Sequence, residues 1–161
     1  MIRRAKLSDA GMLSDIYNYY ILNTVVTFEE QPITAFDMSN RITEVTDAEL
    51  PWLVAEQNHV IVGFAYASKW KGRCAYRYSA EVTIYLSHSM TSKGIGSALY
   101  SELFLRLREN STHVVLGGIS LPNDASIALH EKFGMSKVAH FDEVGFKFGN
   151  WVDVAYWQGK L

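Results

Sequence analysis

The chain has 161 residues, with Lys+Arg 15 against Asp+Glu 17 and a formal net charge of −2. That length suits one domain spanning 1–161, and 48% hydrophobic with 20% charged residues is the composition of a packed core. A near-neutral balance leaves no basic footprint, so neither nucleic acid nor a membrane surface is expected as a partner.

The single cysteine, Cys74, excludes an intramolecular disulfide and a cysteine-rich zinc site; it reads as an ordinary, partly buried side chain, and no metal is expected. Met1-Ile2-Arg3-Arg4-Ala5-Lys6 is basic with no apolar run behind it, so no signal peptide is expected. The longest apolar run, 60–67, is far below the ~20 residues that span a bilayer, and a cytoplasmic protein is expected.

In chain order, Ser8 or Asp9 can cap a helix whose apolar face is Leu13, Ile16, Tyr17, Tyr20 and Ile21. Pro32 and Thr34 introduce a second helix, with Thr34 and Asp37 spaced as a capping box and Met38, Ile42 and Val45 facing inward. Strands 52–56 and 60–67 form a hairpin about Gln57-Asn58-His59, with Asn58 suited to a left-handed conformation. A third strand, 80–86, carries β-branched Val82, Thr83 and Ile84.

From Gly94 to about Arg108 the period becomes helical through Ile95, Leu99, Leu103 and Leu107. Residues 113–119 form a short apolar strand of the kind buried on both faces. Asn123 caps a further helix that Gly134 closes, and two last strands follow, the second alternating through Val152, Val154 and Tyr156. Strands that flank helices in the second half imply an α/β layer with at least one parallel pair.

The most informative segment is strand, then Ser92-Lys93-Gly94-Ile95-Gly96-Ser97, then helix. The first amides of a helix lack internal partners and its dipole adds partial positive charge there, so phosphate is favoured. Gly94 and Gly96 leave those amides without obstructing Cβ atoms, and Lys93 can add a full charge. Alone, Gly-x-Gly is a weak signal, and the competing, less favoured reading is a ligand-free glycine-rich turn. A dinucleotide fingerprint would need a third glycine near Leu99 and a P-loop would need Gly-Lys-Ser/Thr after a four-residue gap; neither is present.

Gly94-Ile95-Gly96 after a strand ending Val82-Thr83-Ile84-Tyr85-Leu86 resembles the acetyl-CoA motif of the GNAT acetyltransferase superfamily, and 121–134 resembles its next motif. Closer still is the phosphinothricin and methionine sulfoximine acetyltransferase family. The chain is similar to it at Tyr17-Asn18, Thr27-Phe28, 51–56, Ala65-Tyr66-Ala67, Trp70-Lys71, Arg73, Ala75-Tyr76, Glu81, 144–147 and 149–154, in the same order along nearly the whole chain.

The resemblance implies a mixed central sheet of about six to seven strands with about four helices. It implies that Ile84, Tyr85 and Leu86 run beside the pantetheine of acetyl-CoA, that residues 92–97 surround its pyrophosphate, and that Asn123 lies near its acetyl end. Thr91 departs from the family's usual Gln or Arg, and Met135 from its usual Phe or Tyr.

Transfer to an amine needs a neutral nucleophile, a polarised carbonyl and a proton for the departing thiolate. Glu81, flanked by Ala80 and Val82, reads either as a surface residue at a strand end or as a desolvated base; with the resemblance it is the first choice for general base. His130 stands two helical turns beyond Asn123, so both can share a face. Glu131 follows it, but no histidine stands at 134, which excludes an H-E-x-x-H zinc site. A lone helical histidine is commonly structural; the resemblance gives His130 a proton-transfer role. Histidines 59, 88, 113 and 140 show no constellation.

Lys71, Arg73 and Arg77, interleaved with Tyr76 and Tyr78, suit an anionic acceptor or else form a solvated basic loop. The expected acceptor contacts are Lys71, Gly72, Arg73, Glu81, Val82 and Thr83, and the acceptor is a small amine of the phosphinothricin type. Thr27-Phe28-Glu29 and the aromatic C-terminus (Phe146, Phe148, Trp151, Tyr156, Trp157) read equally as acceptor pocket or dimer surface, and the resemblance implies a homodimer. The competing readings are a protein or polyamine acetyltransferase and a non-catalytic acetyl-CoA-binding module.

Overall fold

The computed structural model describes residues 1–90 and 94–161. Along them run β1 (Ile2–Arg4), α1 (Ala10–Asn23), α2 (Ala35–Asp47), β2 (Trp52–Gln57), β3 (Val60–Lys69), β4 (Ser79–Leu86), α3 (Ile95–Glu109), β5 (Val114–Ser120), α4 (Asp124–Lys132), β6 (Ser136–Lys147) and β7 (Asn150–Lys160). The strands form one sheet in the order β1-β2-β3-β4-β5-β7-β6. β4 and β5 are parallel and the other neighbours antiparallel. The expected mixed sheet with four helices and a parallel pair is what the chain forms.

β1 has no counterpart in the periodicity. Its three residues carry no pattern of their own and are strand because Ile2, Arg3 and Arg4 pair with Ala55, Val54 and Leu53. Beside it, Asp9 occupies the N-cap position of α1 without capping it. Its carboxylate instead accepts from Arg3 at 2.7 and 3.0 Å and from the Lys6 amide at 2.8 Å. The α2 capping box forms as expected, Thr34 Oγ1 accepting from the Asp37 amide and Asp37 from the Thr34 amide. Asn58 and His59 both take positive φ, 49° and 63°, giving the two-residue hairpin turn whose twist matches the flanking strands.

Side-chain alternation gives the sheet two buried faces. One packs Leu53, Ala55, Ala65, Ala67, Val82, Val115 and Trp157 against the Leu99–Leu103–Leu107 stripe of α3. The other packs Trp52, Val54 and Phe64 against Leu13, Ile16 and Ile21 of α1 and Met38, Ile42 and Val45 of α2. In the second half of β7 the buried residues are Ala155, Trp157 and Gly159. Val154 and Tyr156, on the alternate positions, are half-buried because they line a cleft.

β4 and β5 pair only at Ser79↔Val114, Ala80↔Val115 and Glu81↔Leu116. Beyond those positions β4 keeps β3 as its neighbour and β5 keeps β7. The two strands part, and Glu81 sits where they separate.

Candidate active site

The gap between the parted strands is a continuous channel. Its inner cavity, about 240 Å³, is lined by Thr27, Phe28, Glu81, Val82, Thr83, Tyr100, Gly118, His130 and Tyr156. Its outer groove, about 530 Å³, is lined by Tyr20, Leu86, Gly94, Ile95, Gly96, Ser97 and Lys132. Val26, Ile84, Tyr85, Asn123 and Ser126 line both.

At the outer end Gly94 caps α3 in the left-handed conformation, φ 76°, which a residue with a Cβ adopts only under strain. At Gly96 an added Cβ would make ordinary contacts, 3.4 Å from Leu129 and 3.7 Å from Ile84 and Leu86, so the helix start packs closely on the groove floor there. Thr91, Ser92 and Lys93 lie outside the described residues. A cation not singled out from the sequence is Lys132, whose Nζ donates to Ser97 Oγ at 2.9 Å at the groove mouth. The Leu86 carbonyl accepts from Tyr20 Oη at 2.6 Å, tying α1 to the channel edge.

At the inner end burial pushes the Glu81 carboxyl above its ordinary range, opposed by the charge of Lys71 and by the nearby Tyr156 hydroxyl. The Lys71 ammonium also sits over the Trp70 ring, 4.9 Å from its centroid. Gly72 and Arg73 are exposed and line neither part of the channel. Lys71 is exposed too and lines neither part; it lines the adjoining groove with Phe28 and Tyr156, and of the three loop residues expected at the acceptor it alone acts on Glu81, through its charge.

His130 is 4% exposed. Its Nδ1 lies 2.7 Å from the Ser126 carbonyl, which can only accept, so Nδ1 carries the proton. Nε2 is then an acceptor, taking the Tyr100 hydroxyl at 3.1 Å. Burial lowers the His130 pKa despite the Ser126 bond, so the ring is neutral at pH 7. Asn123 spends its Oδ1 on the Ser126 amide at 3.1 Å, capping α4 while lining the channel.

Two further features shape this end: a glycine pair not singled out from the sequence, and the segment Thr27-Phe28-Glu29, which the structure places at the cavity. Gly117 and Gly118 are consecutive, so they face opposite sides of β5. A Cβ on Gly117 would meet His130 Nε2 at 2.5 Å, and one on Gly118 would meet Tyr156 Cζ at 2.9 Å. A glycine pair inside a strand is the available signal, since it marks close approach. The second feature is the strap carrying Val26, Thr27 and Phe28. Tyr17 Oη bonds Thr27 Oγ1 at 2.8 Å and donates to Glu29, Arg41 holds Glu29 at 2.5 and 2.9 Å, and Lys147, 2% exposed, donates to the Thr27 carbonyl at 2.8 Å. Glu29 thus fastens the strap, while Thr27 and Phe28 face the cavity.

The family model described as "Acetyltransferase (GNAT) domain" matches residues 2–156. The chain belongs to the GNAT acetyltransferase family. It is 38% identical to a phosphinothricin N-acetyltransferase of Streptomyces viridochromogenes, across 98% of this chain and 85% of that one. It is 33% identical to an L-methionine sulfoximine/L-methionine sulfone acetyltransferase of Salmonella typhimurium, across 99% and 94%. Its fold matches a GNAT phosphinothricin acetyltransferase of Sinorhizobium meliloti solved with acetyl-CoA, with a TM-score of 0.97 and 36% identity, across 100% and 88%.

Elsewhere on this GNAT domain the readings of Cys74 and of the histidines need correction, and the open reading of the C-terminal aromatics divides. Cys74 is exposed, in a short 3₁₀ turn (Cys74–Tyr76). His140 does have a constellation: Nε2 lies 2.9 Å from Asp153 and 3.4 Å from Asp142, and Lys137 donates to Nδ1 at 2.9 Å. His88 stacks on Tyr19 at 4.1 Å. Both contacts join residues that lie apart along the chain or across a hairpin. Phe146, Phe148 and Trp151 are 53%, 57% and 64% exposed and do not line the channel, whereas Tyr156 does. Among the described residues no helix is long and apolar enough to cross a membrane.

Proposed function

We propose that this GNAT protein transfers the acetyl group of acetyl-CoA to the α-amino group of a small amino-acid analogue of the phosphinothricin or methionine sulfoximine type, with Glu81 as general base. The observation that carries the reading is the channel itself, which runs from the start of α3 to a partly desolvated carboxylate where β4 and β5 part. The relatives' named activities and a structural neighbour's acetyl-CoA support the choice of donor and acceptor.

The residues present fit the coenzyme. Left-handed Gly94 opens α3 so that its first amides face the groove, and Lys132 adds positive charge at the mouth, both suited to phosphate. Residues 84–86 line the groove on the side where β4 has lost β5, an edge with backbone groups to offer an amide-bearing arm. Acetyl-CoA supplies an activated thioester there. Ser92 and Lys93 belong to the same phosphate-binding proposal.

Glu81 takes the proton of the acceptor's ammonium or amine, directly or through water, and its raised pKa keeps it near the range where a carboxylate is an effective base. His130 serves the thiolate: Nε2 receives, through water, the proton that Glu81 has taken from the acceptor, the Tyr100 hydroxyl turns from donor to acceptor, and the proton passes on to sulfur. Lys71, beside Glu81, holds the acceptor's anionic group, with Val82 and Thr83 as the adjoining wall.

A second acceptor reading has its own observation. Phe28, Trp70, Leu116, Phe141, Val144 and Tyr156 line an apolar groove adjoining the cavity, and Gly72 and Arg73 stand outside it. Apart from Lys71 that lining is apolar, which favours a neutral side chain of the methionine sulfone type over an anionic phosphinate. The exposed aromatics of the β6–β7 hairpin support the homodimer, which sedimentation of the purified chain tests.

The deciding experiment follows thiol release from acetyl-CoA with phosphinothricin, methionine sulfoximine, methionine sulfone, a polyamine and a lysine peptide. Turnover with the amino-acid analogues is expected. Turnover with the polyamine or peptide alone would overturn the acceptor assignment.

A further inference from the structure

Glu81 stands on β4 and Tyr156 on β7, with β5 between them, so their backbones are two strand spacings apart, about 10 Å. A side chain on β7 reaches β4 only by lying over β5. The residue of β5 paired with Tyr156 is Gly118. A Cβ built there would come within 2.9 Å of Tyr156 Cζ and 3.1 Å of its Cε1 and Oη, so the ring occupies the space that any other residue at 118 would fill. The ring is held from two sides, edge-on to Trp70 at 5.5 Å and to Phe141 at 6.1 Å. Both Glu81 and the tyrosine line the inner cavity.

From this geometry we infer that Tyr156 is a positioning residue for Glu81, its hydroxyl reaching across Gly118 to donate to the carboxylate and fix the oxygen aimed at the acceptor. The role rests on Glu81 being the base. A phenol donating to a carboxylate favours the ionised form. The interaction therefore offsets part of the burial that raises Glu81, as does Lys71 from the segment after β3. Tyr66 of β3 and, lining the same cavity, Tyr85 and Tyr100 stay neutral because burial raises their pKa values, and His130 stays neutral because burial lowers its own. Without the hydroxyl, Glu81 protonates at higher pH.

The test is the pH profile of kcat/KM for thiol release. Tyr156→Phe keeps the ring and removes only the hydroxyl, so the acid limb is expected to move up by about one pH unit, the size of one hydrogen bond to a charged group. Coenzyme A affinity by calorimetry is expected to stay at the wild-type value. Gly118→Ala moves the ring and shifts the limb the same way. A Tyr156→Phe profile that superposes on wild type, or a lower kcat with an unmoved limb, overturns the role. Glu81→Gln run alongside separates the two claims. Lost turnover in Glu81→Gln with an unmoved Tyr156→Phe limb removes only the tyrosine, whereas full turnover in Glu81→Gln removes the base reading beneath it.

Discussion

The Phe28 ring lies directly over Gly145: a Cβ built on that glycine would sit 2.3 Å from Phe28 Cζ. The contact joins β6 to the strap that roofs the acceptor end, and Lys147 two residues on fixes the same strap through the Thr27 carbonyl. Gly145→Ala is expected to displace Phe28, costing about 1–3 kcal/mol of stability by overpacking and raising the acceptor KM with little change in coenzyme A affinity. Chemical denaturation and steady-state kinetics check both parts.

Gly117 makes the matching contact on the opposite face, beneath His130. Gly117→Ala forces the imidazole off its place, because the added Cβ would fall 2.5 Å from Nε2. Loss of the Tyr100 bond and a drop in turnover are expected together. Tyr100→Phe, which leaves Nε2 buried without its donor, is expected to cost about 1–3 kcal/mol. In the wild type, nitrogen NMR at pH 7 should find His130 neutral with the proton on Nδ1.

The lowered pKa of His130 makes stability depend on pH. The folded state holds the neutral ring, so the unfolded chain binds more protons and stability falls as pH drops. His130's contribution is complete above its ordinary value of 6.5 and is lost as pH falls through the depressed folded value. Urea midpoints measured down through that window should decline in the wild type and flatten in His130→Gln.

Asp9 acts in a lower window. Hydrogen bonding to Arg3 holds its pKa below the ordinary 3.8. The folded state therefore favours the carboxylate, with full stabilisation above 3.8 that disappears once pH has fallen through the folded value. Asp9→Asn is expected to lower stability at neutral pH by about 2 kcal/mol and to remove that acid-side slope. An unchanged slope would assign it to other carboxylates.

The parts legible in the sequence were those whose signal is local. The α3 stripe, the Thr34–Asp37 box, the Asn58 turn and the glycine-opened α3 each declare themselves within a few residues. β1 is strand only because β2 lies beside it, and Asp9 abandons its cap because Arg3 lies across from it. Those causes are tertiary. The site divides the same way. Glu81, His130 and Asn123 were readable by resemblance and meet in one channel, while Arg73 was counted for its charge and lies outside. Tyr156 was in view only as one of five C-terminal aromatics, and it and the Gly117–Gly118 pair acquire their particular contacts from cross-strand register, which a one-dimensional pattern does not contain.

The central claim is that Glu81 removes the acceptor's proton at the inner end of a channel that binds acetyl-CoA. Thiol release and acetyl-CoA calorimetry on Glu81→Gln test it in one protein preparation. The account predicts coenzyme affinity within about twofold of wild type and turnover reduced by about 10²–10⁴-fold. Wild-type turnover in the variant, or no heat with acetyl-CoA in the wild type, would contradict it.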